Sequence, residues 1–117
     1  MSTRCQVRII GNGTSLNLYH HFDGDFNGVG KELSGLLEPL RRGTELDAGL
    51  FTKALMSKGG YDVTFRAHGD IDYFYQLDFD RRMFLGWQVR WSEHIWGGQD
   101  WRGRLPDILG ETVKDLL

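Results

Sequence analysis

Cysteine is almost absent from this chain. Cys5 stands alone, which rules out an intrachain disulfide and a cysteine-based zinc site and makes a reducing, intracellular setting the default expectation. Proline occurs only at Pro39 and Pro106, and each marks an expected helix boundary. Neither sign of charge dominates: 14 basic and 16 acidic residues give a formal charge of -2. A general nucleic-acid binder would carry a basic excess, so general nucleic-acid binding is not expected, and a DNA mimic would be far more acidic. No apolar run approaches the roughly 20 residues of a membrane span, and Met-Ser-Thr-Arg-Cys-Gln lacks the apolar core of a signal peptide. The expectation is a soluble protein of the cytoplasm, without membrane contact. Gly-x-Ser-x-Gly and His-Glu-x-x-His motifs are also missing, as is a cysteine nucleophile with a partner, which argues against familiar hydrolases.

The residues that are present suit one domain spanning 1–117. Hydrophobic residues make up 40% and aromatics 13%, enough to exclude a disordered chain. Arg outnumbers Lys ten to four, a bias toward directed polar contacts.

Periodicity divides the chain. Residues 4–10 alternate, with Cys5, Val7 and Ile9 on one face, as a half-buried strand does. Asn12-Gly13 is a hairpin signal. A second strand is expected from about Ser15 to Phe22. A first helix should begin near Gly28, capped by Asn27, and Pro39 should end or bend it. Thr44-Glu45-Leu46-Asp47 reads as a capping box for a second helix with Leu46, Leu50, Phe51, Ala54 and Leu55 buried, stopped by Lys58-Gly59-Gly60. Three strands follow as a meander. Tyr61, Val63, Phe65 and Ala67 form the apolar face of the first, Ile71 to Phe79 carries the second, and Met83, Leu85, Trp87, Val89 and Trp91 form the core face of the third. Residues 92–104 read as a loop. Pro106 opens a final helix in which Ile108, Leu109, Val113, Leu116 and Leu117 dock. The predicted fold is α+β in the order ββααβββα: a largely antiparallel five-stranded sheet with helices packed mainly on one face.

Chemically capable side chains concentrate in residues 18–28. Strand alternation separates His20 from His21 and leaves Tyr19, His21 and Asp23 in one row, about 6.6 Å per step. Such a row can hold a divalent cation, orient a base or clasp a partner's polar group. A metal would need further ligands, from Asp25, His68 or Asp72 if the fold brings them near. The plainer alternative is structural: Asp23 caps the turn, His21 bonds to it, and Tyr19 packs across the sheet. Asn27-Gly28-Val29-Gly30-Lys31 faintly suggests an anion loop but lacks the Walker spacing. His68-Gly69-Asp70-Ile71-Asp72 reads as a turn. Asp78 and Asp80 beside Arg81-Arg82 read as a charged hairpin end. Trp96 and Trp101 sit beside Arg102 and Arg104, residue types that anchor interfaces; the plainer alternative is that both rings cover the sheet edge or pack under the final helix.

The run Tyr19-His20-His21-Phe22-Asp23-Gly24, followed by Gly28, resembles a motif of small phage and mobile-element proteins. Those proteins often read Tyr-x-His-x-Asp-Gly-Tyr-Pro-x-Gly after an N-terminal hairpin, then two helices and a strand such as Tyr-x-Tyr-x-x-Asp. Tyr73-Phe74-Tyr75-Gln76-Leu77-Asp78 matches that strand, while Asp25-Phe26 departs from the Tyr-Pro pair. The likeness spans about residues 4–80 and carries no catalytic residues. It implies a phage-associated protein that binds a host defence complex, as anti-CRISPR proteins do. The resulting expectation is a non-enzymatic inhibitor of a host protein or ribonucleoprotein complex, with a CRISPR effector as the example the resemblance offers. It would need no cofactor or metal, and its contacts would come from Tyr19, His21, Asp23, Trp96, Trp101, Arg102 and Arg104. The alternative is a small-ligand or nucleotide-binding protein with its site around His21, Asp23 and the start of the first helix.

Overall fold

A computed structural model describes residues 3–65, 68, 70–89 and 109–117, with 109–113 described in backbone only. It is α+β, as expected. Its six-stranded sheet is mixed, in the order β3-β2-β1-β4-β5-β6. The strands are β1 (Cys5–Gly11), β2 (Thr14–His20), β3 (Tyr61–Thr64), β4 (Tyr73–Asp78), β5 (Met83–Val89) and β6 (Leu109–Asp115). Three short helices, α1 (Lys31–Leu36), α2 (Glu38–Arg41) and α3 (Ala48–Ser57), follow a π-helical turn at Phe26–Gly30. No helix among the described residues is long and apolar enough to cross a membrane.

The β1–β2 hairpin forms as predicted. Asn12 and Gly13 take φ of 53° and 74°, the two left-handed positions of a type I′ turn. Asp80 braces it from the β4–β5 turn: its two carboxylate oxygens accept from the Asn12 and Gly13 amides at 2.8 and 2.9 Å. The charged hairpin end is thus tied to its neighbour.

Several expectations are corrected. The predicted final helix is instead strand β6, antiparallel to β5. Its sequence, Leu-Gly-Glu-Thr-Val-Lys-Asp, holds two β-branched residues and a glycine, and the open edge of β5 offers a ladder of backbone partners. The sheet therefore has six strands, not five. The meander is also broken at its first step. β3 pairs with β2, and β4 lies parallel to β1. The connection from Thr64 to Tyr73 crosses two strands, a span of about 14 Å.

The first helix begins as the π-helical turn with Asp25, not Asn27, at its head. It breaks at Leu37, one residue before α2, which carries Pro39 in its first turn, where a missing N–H costs nothing. The cap of α3 is Asp47, whose carboxylate accepts from the Leu50 amide at 2.7 Å. The capping box at Thr44 is not used.

The main core lies between the sheet and the helices. Cys5, Val7, Ile9, Leu18, Tyr75, Leu77 and Phe84 meet Val29, Leu33, Leu37, Leu40, Phe51 and Leu55. A second cluster forms on the opposite face from Tyr19, Ile71, Phe74, Trp87 and Val89. This reverses the expected orientation of β5: Phe84 faces the helices, whereas Leu85, Trp87 and Val89 face away. Register is the reason, because Phe74 pairs with Trp87 and Tyr75 with Gly86. Tyr75 needs that glycine, since a Cβ at Gly86 would come within 2.7 Å of its ring.

Candidate functional site

Strand β2 leaves the sheet at His20, and the next residues build a fixed junction. Asp23 takes φ of 52°, a left-handed turn that asparagine and aspartate tolerate better than most residues. Gly24 is pressed against β1. Its amide donates to the Thr3 carbonyl at 2.9 Å, and a Cβ there would fall 2.8 Å from Cys5 Cβ. The Tyr75 hydroxyl donates to the Gly24 carbonyl at 2.7 Å in the buried interior. The Val29 amide donates to the Asp23 carbonyl at 2.7 Å. This stretch therefore locks the first strand pair to the helical layer.

The chemically capable side chains gather on the sheet face opposite the helices. Tyr19, only 6% exposed, is the centre. Its hydroxyl donates to Asp70 Oδ2 at 2.7 Å. The His68 ring stacks on it with centroids 4.2 Å apart, and His21 meets it edge-on at 4.6 Å. His21 Nε2 lies 3.6 Å from Asp62 Oδ2 on β3. Gln6 Oε1 accepts from the His68 amide at 3.1 Å, and Thr64 Oγ1 lies 2.6 Å from His68 Nε2. Arg4 pairs with Asp70 at 3.5 Å and donates its amide to Asp72 at 3.1 Å. These contacts fasten the β3–β4 connection across β2 and β1.

The electrostatics of the cluster are structural in kind. Burial, then the hydrogen bond to Asp70, pushes the Tyr19 phenol well above its ordinary value. Burial, with Asp25 and Glu32 adding to it, does the same to the Cys5 thiol. Neither group offers an activated nucleophile near neutral pH. Among the described residues, no three His, Cys, Asp or Glu side chains are arranged to hold a metal ion.

Of the residues singled out in the sequence, Tyr19 and His21 do come together. Asp23 leaves their row because the left-handed turn redirects the chain, and Asp62 stands beside His21 instead. Tyr19 supports His21 from beneath rather than offering its own surface. Trp96, Trp101, Arg102 and Arg104 lie outside the described residues. Sequence reasoning missed Asp62, Gln6 and Asp70. Gln6 faces Tyr19 across the β1–β2 hairpin, Asp62 faces it across the β2–β3 pair, and Asp70 arrives with the β3–β4 connection, pairings that alternation alone does not signal.

Two shallow hollows flank the π-helical turn. One, of about 420 Å³, is lined by Asn27, Gly28, Lys31 and Lys58 among others. The second, of about 310 Å³, includes Asn27, Lys31, Ser34 and Lys114. Neither His21 nor Asp23 lines either hollow.

Among the described residues, the helical layer leaves the end of β3 uncovered. Val63 is 47% exposed and Phe65 90% exposed, where burial was expected. Comparison with known proteins returns no matching family model, curated protein or solved structure.

Proposed function

We propose that this chain is a non-enzymatic binding protein that inhibits a larger host complex by occupying a surface. The observation that carries this reading is the exposure of Val63 on β3 and of the Phe65 ring just beyond it. Isolated surface apolar residues are ordinary, but an exposed aromatic ring beside further exposed apolar groups marks an interaction site. On the opposite face of β3, His21 and Asp62 form a separate exposed polar pair that offers a second contact. The anti-defence setting rests on the resemblance of Tyr19–Gly24 and Tyr73–Asp78 to phage and mobile-element proteins. A CRISPR effector is the proposed target within that setting.

Expression in bacteria with an active CRISPR system tests it. A targeted phage should regain plating efficiency by orders of magnitude, and the chain should co-elute with the effector. Unchanged plating across several CRISPR types, with no co-elution, would refute the reading.

The second reading, a small anionic ligand, draws on the hollows beside the π-helical turn. Three of the chain's four lysines, Lys31, Lys58 and Lys114, line them. Thermal-shift screening with nucleotides should then show stabilisation that Lys31→Gln removes. A flat screen would dismiss it.

A further inference from the structure

Of the two hollows beside the π-helical turn, the one toward β6 is built by two separate parts of the chain. The turn and α1 supply Phe26, Asn27, Lys31 and Ser34, and the last strand supplies Lys114 and Asp115. Its volume of about 310 Å³ is that of a small ligand cavity. The floor is fixed. Phe26 meets Tyr73 and Tyr75 edge-on, with ring centroids 5.0 and 6.3 Å apart, and Tyr75 is itself fastened to the Gly24 carbonyl. Gly28 lets the turn close against Asp23, since a Cβ there would fall 2.0 Å from the Asp23 carbonyl oxygen. π-helical turns are rare and are frequent at functional sites.

The polar groups around this floor are mostly donors. Lys114 Nζ lies 5.6 Å from the centre of the Phe26 ring, within cation–π reach, which keeps its ammonium at the hollow. Lys31 belongs to α1, so the two cations come from different elements. Neither has an ion pair among the described residues. Ser34 Oγ accepts from the Arg41 guanidinium, which leaves the hydroxyl proton to donate. That proton and the Asn27 side-chain amide find no acceptor among the described residues. The one carboxylate, Asp115, already accepts from the Leu117 amide at 2.9 Å. The hollow on the other side of the turn also has two lysines, Lys31 and Lys58, but neither a hydroxyl nor an aromatic ring lines it.

We infer that the hollow between the π-helical turn and β6 binds a small phosphomonoester. Near neutral pH such a group carries about −1.5 to −2 charges and three acceptor oxygens. Two ammonium groups match that charge, and lysine holds phosphate as a point charge. The Ser34 hydroxyl and the Asn27 amide donate to the remaining phosphoryl oxygens. The organic part lies against Phe26 and Leu116, the apolar part of the lining. This inference rests on the small-anion reading and names both the class of anion and the hollow that takes it.

Isothermal titration calorimetry of the full chain at low salt tests it with adenosine monophosphate, glycerol phosphate, adenosine and succinate. Both phosphomonoesters should bind saturably at one site, at least about tenfold tighter than adenosine or the charge-matched succinate. Lys31→Gln and Lys114→Gln, both at exposed positions, should each weaken that binding about tenfold with an unchanged circular dichroism spectrum. Lys53→Gln removes the same charge away from the turn and should leave it unaltered. Succinate bound as tightly as the phosphomonoesters, or indifference to Lys114→Gln, would overturn the inference. Loss of binding in Lys58→Gln together with indifference to Lys114→Gln would place the ligand in the other hollow, so that the small-anion reading stands and this site falls. No saturable binding of any anion would remove both.

Discussion

Replacing Tyr75 by phenylalanine removes one oxygen and should be felt across the whole fold. Tyr75 is fully buried on central strand β4, and its hydroxyl donates to the Gly24 carbonyl at 2.7 Å. Phenylalanine fills the same space, so no cavity opens. The loss is that the buried Gly24 carbonyl has no donor, with a penalty of about 1–3 kcal/mol. For 117 residues, an unfolding entropy of about 2.1 cal/mol/K per residue makes each kcal/mol worth about 4 °C. Tyr75→Phe should therefore lower the melting temperature by about 4–12 °C in scanning calorimetry. The urea m-value should stay constant, since the surface exposed on unfolding is the same. Tyr73→Phe is the control. Tyr73 is half-buried and its hydroxyl has no hydrogen bond among the described residues, so its change should stay within about 0.5 kcal/mol. Equal melting temperatures for the two variants would refute the claim that residues 23–30 are locked to the sheet through this phenol.

Three further outcomes follow. Burial, with Glu32 as the next cause for Tyr61 and Cys5 for Tyr75, raises both phenols far above their ordinary range. Their folded pKa values exceed the unfolded value near 10, so this stability is whole below pH 10. Above it, each should lose about 1.4 kcal/mol per pH unit. The Cys5 thiol, raised in the same way, should start the decline from about pH 8.5. Tyrosinate absorbance should rise together with the loss of near-ultraviolet circular dichroism, and Cys5→Ala should move the onset toward pH 10; tyrosinate forming well before unfolding would contradict this. Gly86→Ala places a methyl group 2.7 Å from the Tyr75 ring and 3.2 Å from Phe26, an overpacking expected to cost about 1–3 kcal/mol in urea unfolding. Asp80→Ala should speed hydrogen exchange at the Asn12 and Gly13 amides, its two donors, while leaving exchange in β4 unchanged.

Much of the fold is legible in local chemistry. Asn12-Gly13 specifies its turn because both positions need positive φ. Phe51 and Leu55 mark the buried side of α3, and Lys58-Gly59-Gly60 ends it, with both glycines at positive φ. The illegible parts depend on which strands meet. Alternation locates β4 and β5, but both carry apolar residues on both faces, so period two cannot say which face meets the helices. The parallel pairing of β1 with β4 follows from the β3–β4 connection crossing two strands, a tertiary choice without a sequence signature. Residues 109–115 are ambiguous because Leu109 and Val113 satisfy helical spacing and strand spacing alike; the edge of β5, to which they pair, decides between them. Tyr19 and His21 were placed correctly in one row, yet Asp62 and His68 enter the cluster only through those same long-range pairings. Val63 and Phe65 are exposed because, among the described residues, the helices cover β3 only at Tyr61, which no window of sequence contains.

Phage plating with Phe65→Asp tests the central claim most directly. The ring is 90% exposed, so its replacement should leave folding and melting temperature intact, within about 0.5 kcal/mol. Inhibition by partner contact predicts that the unaltered chain restores plating of a CRISPR-targeted phage and that Phe65→Asp, expressed to the same level, does not. Full restoration by the folded variant would contradict the account.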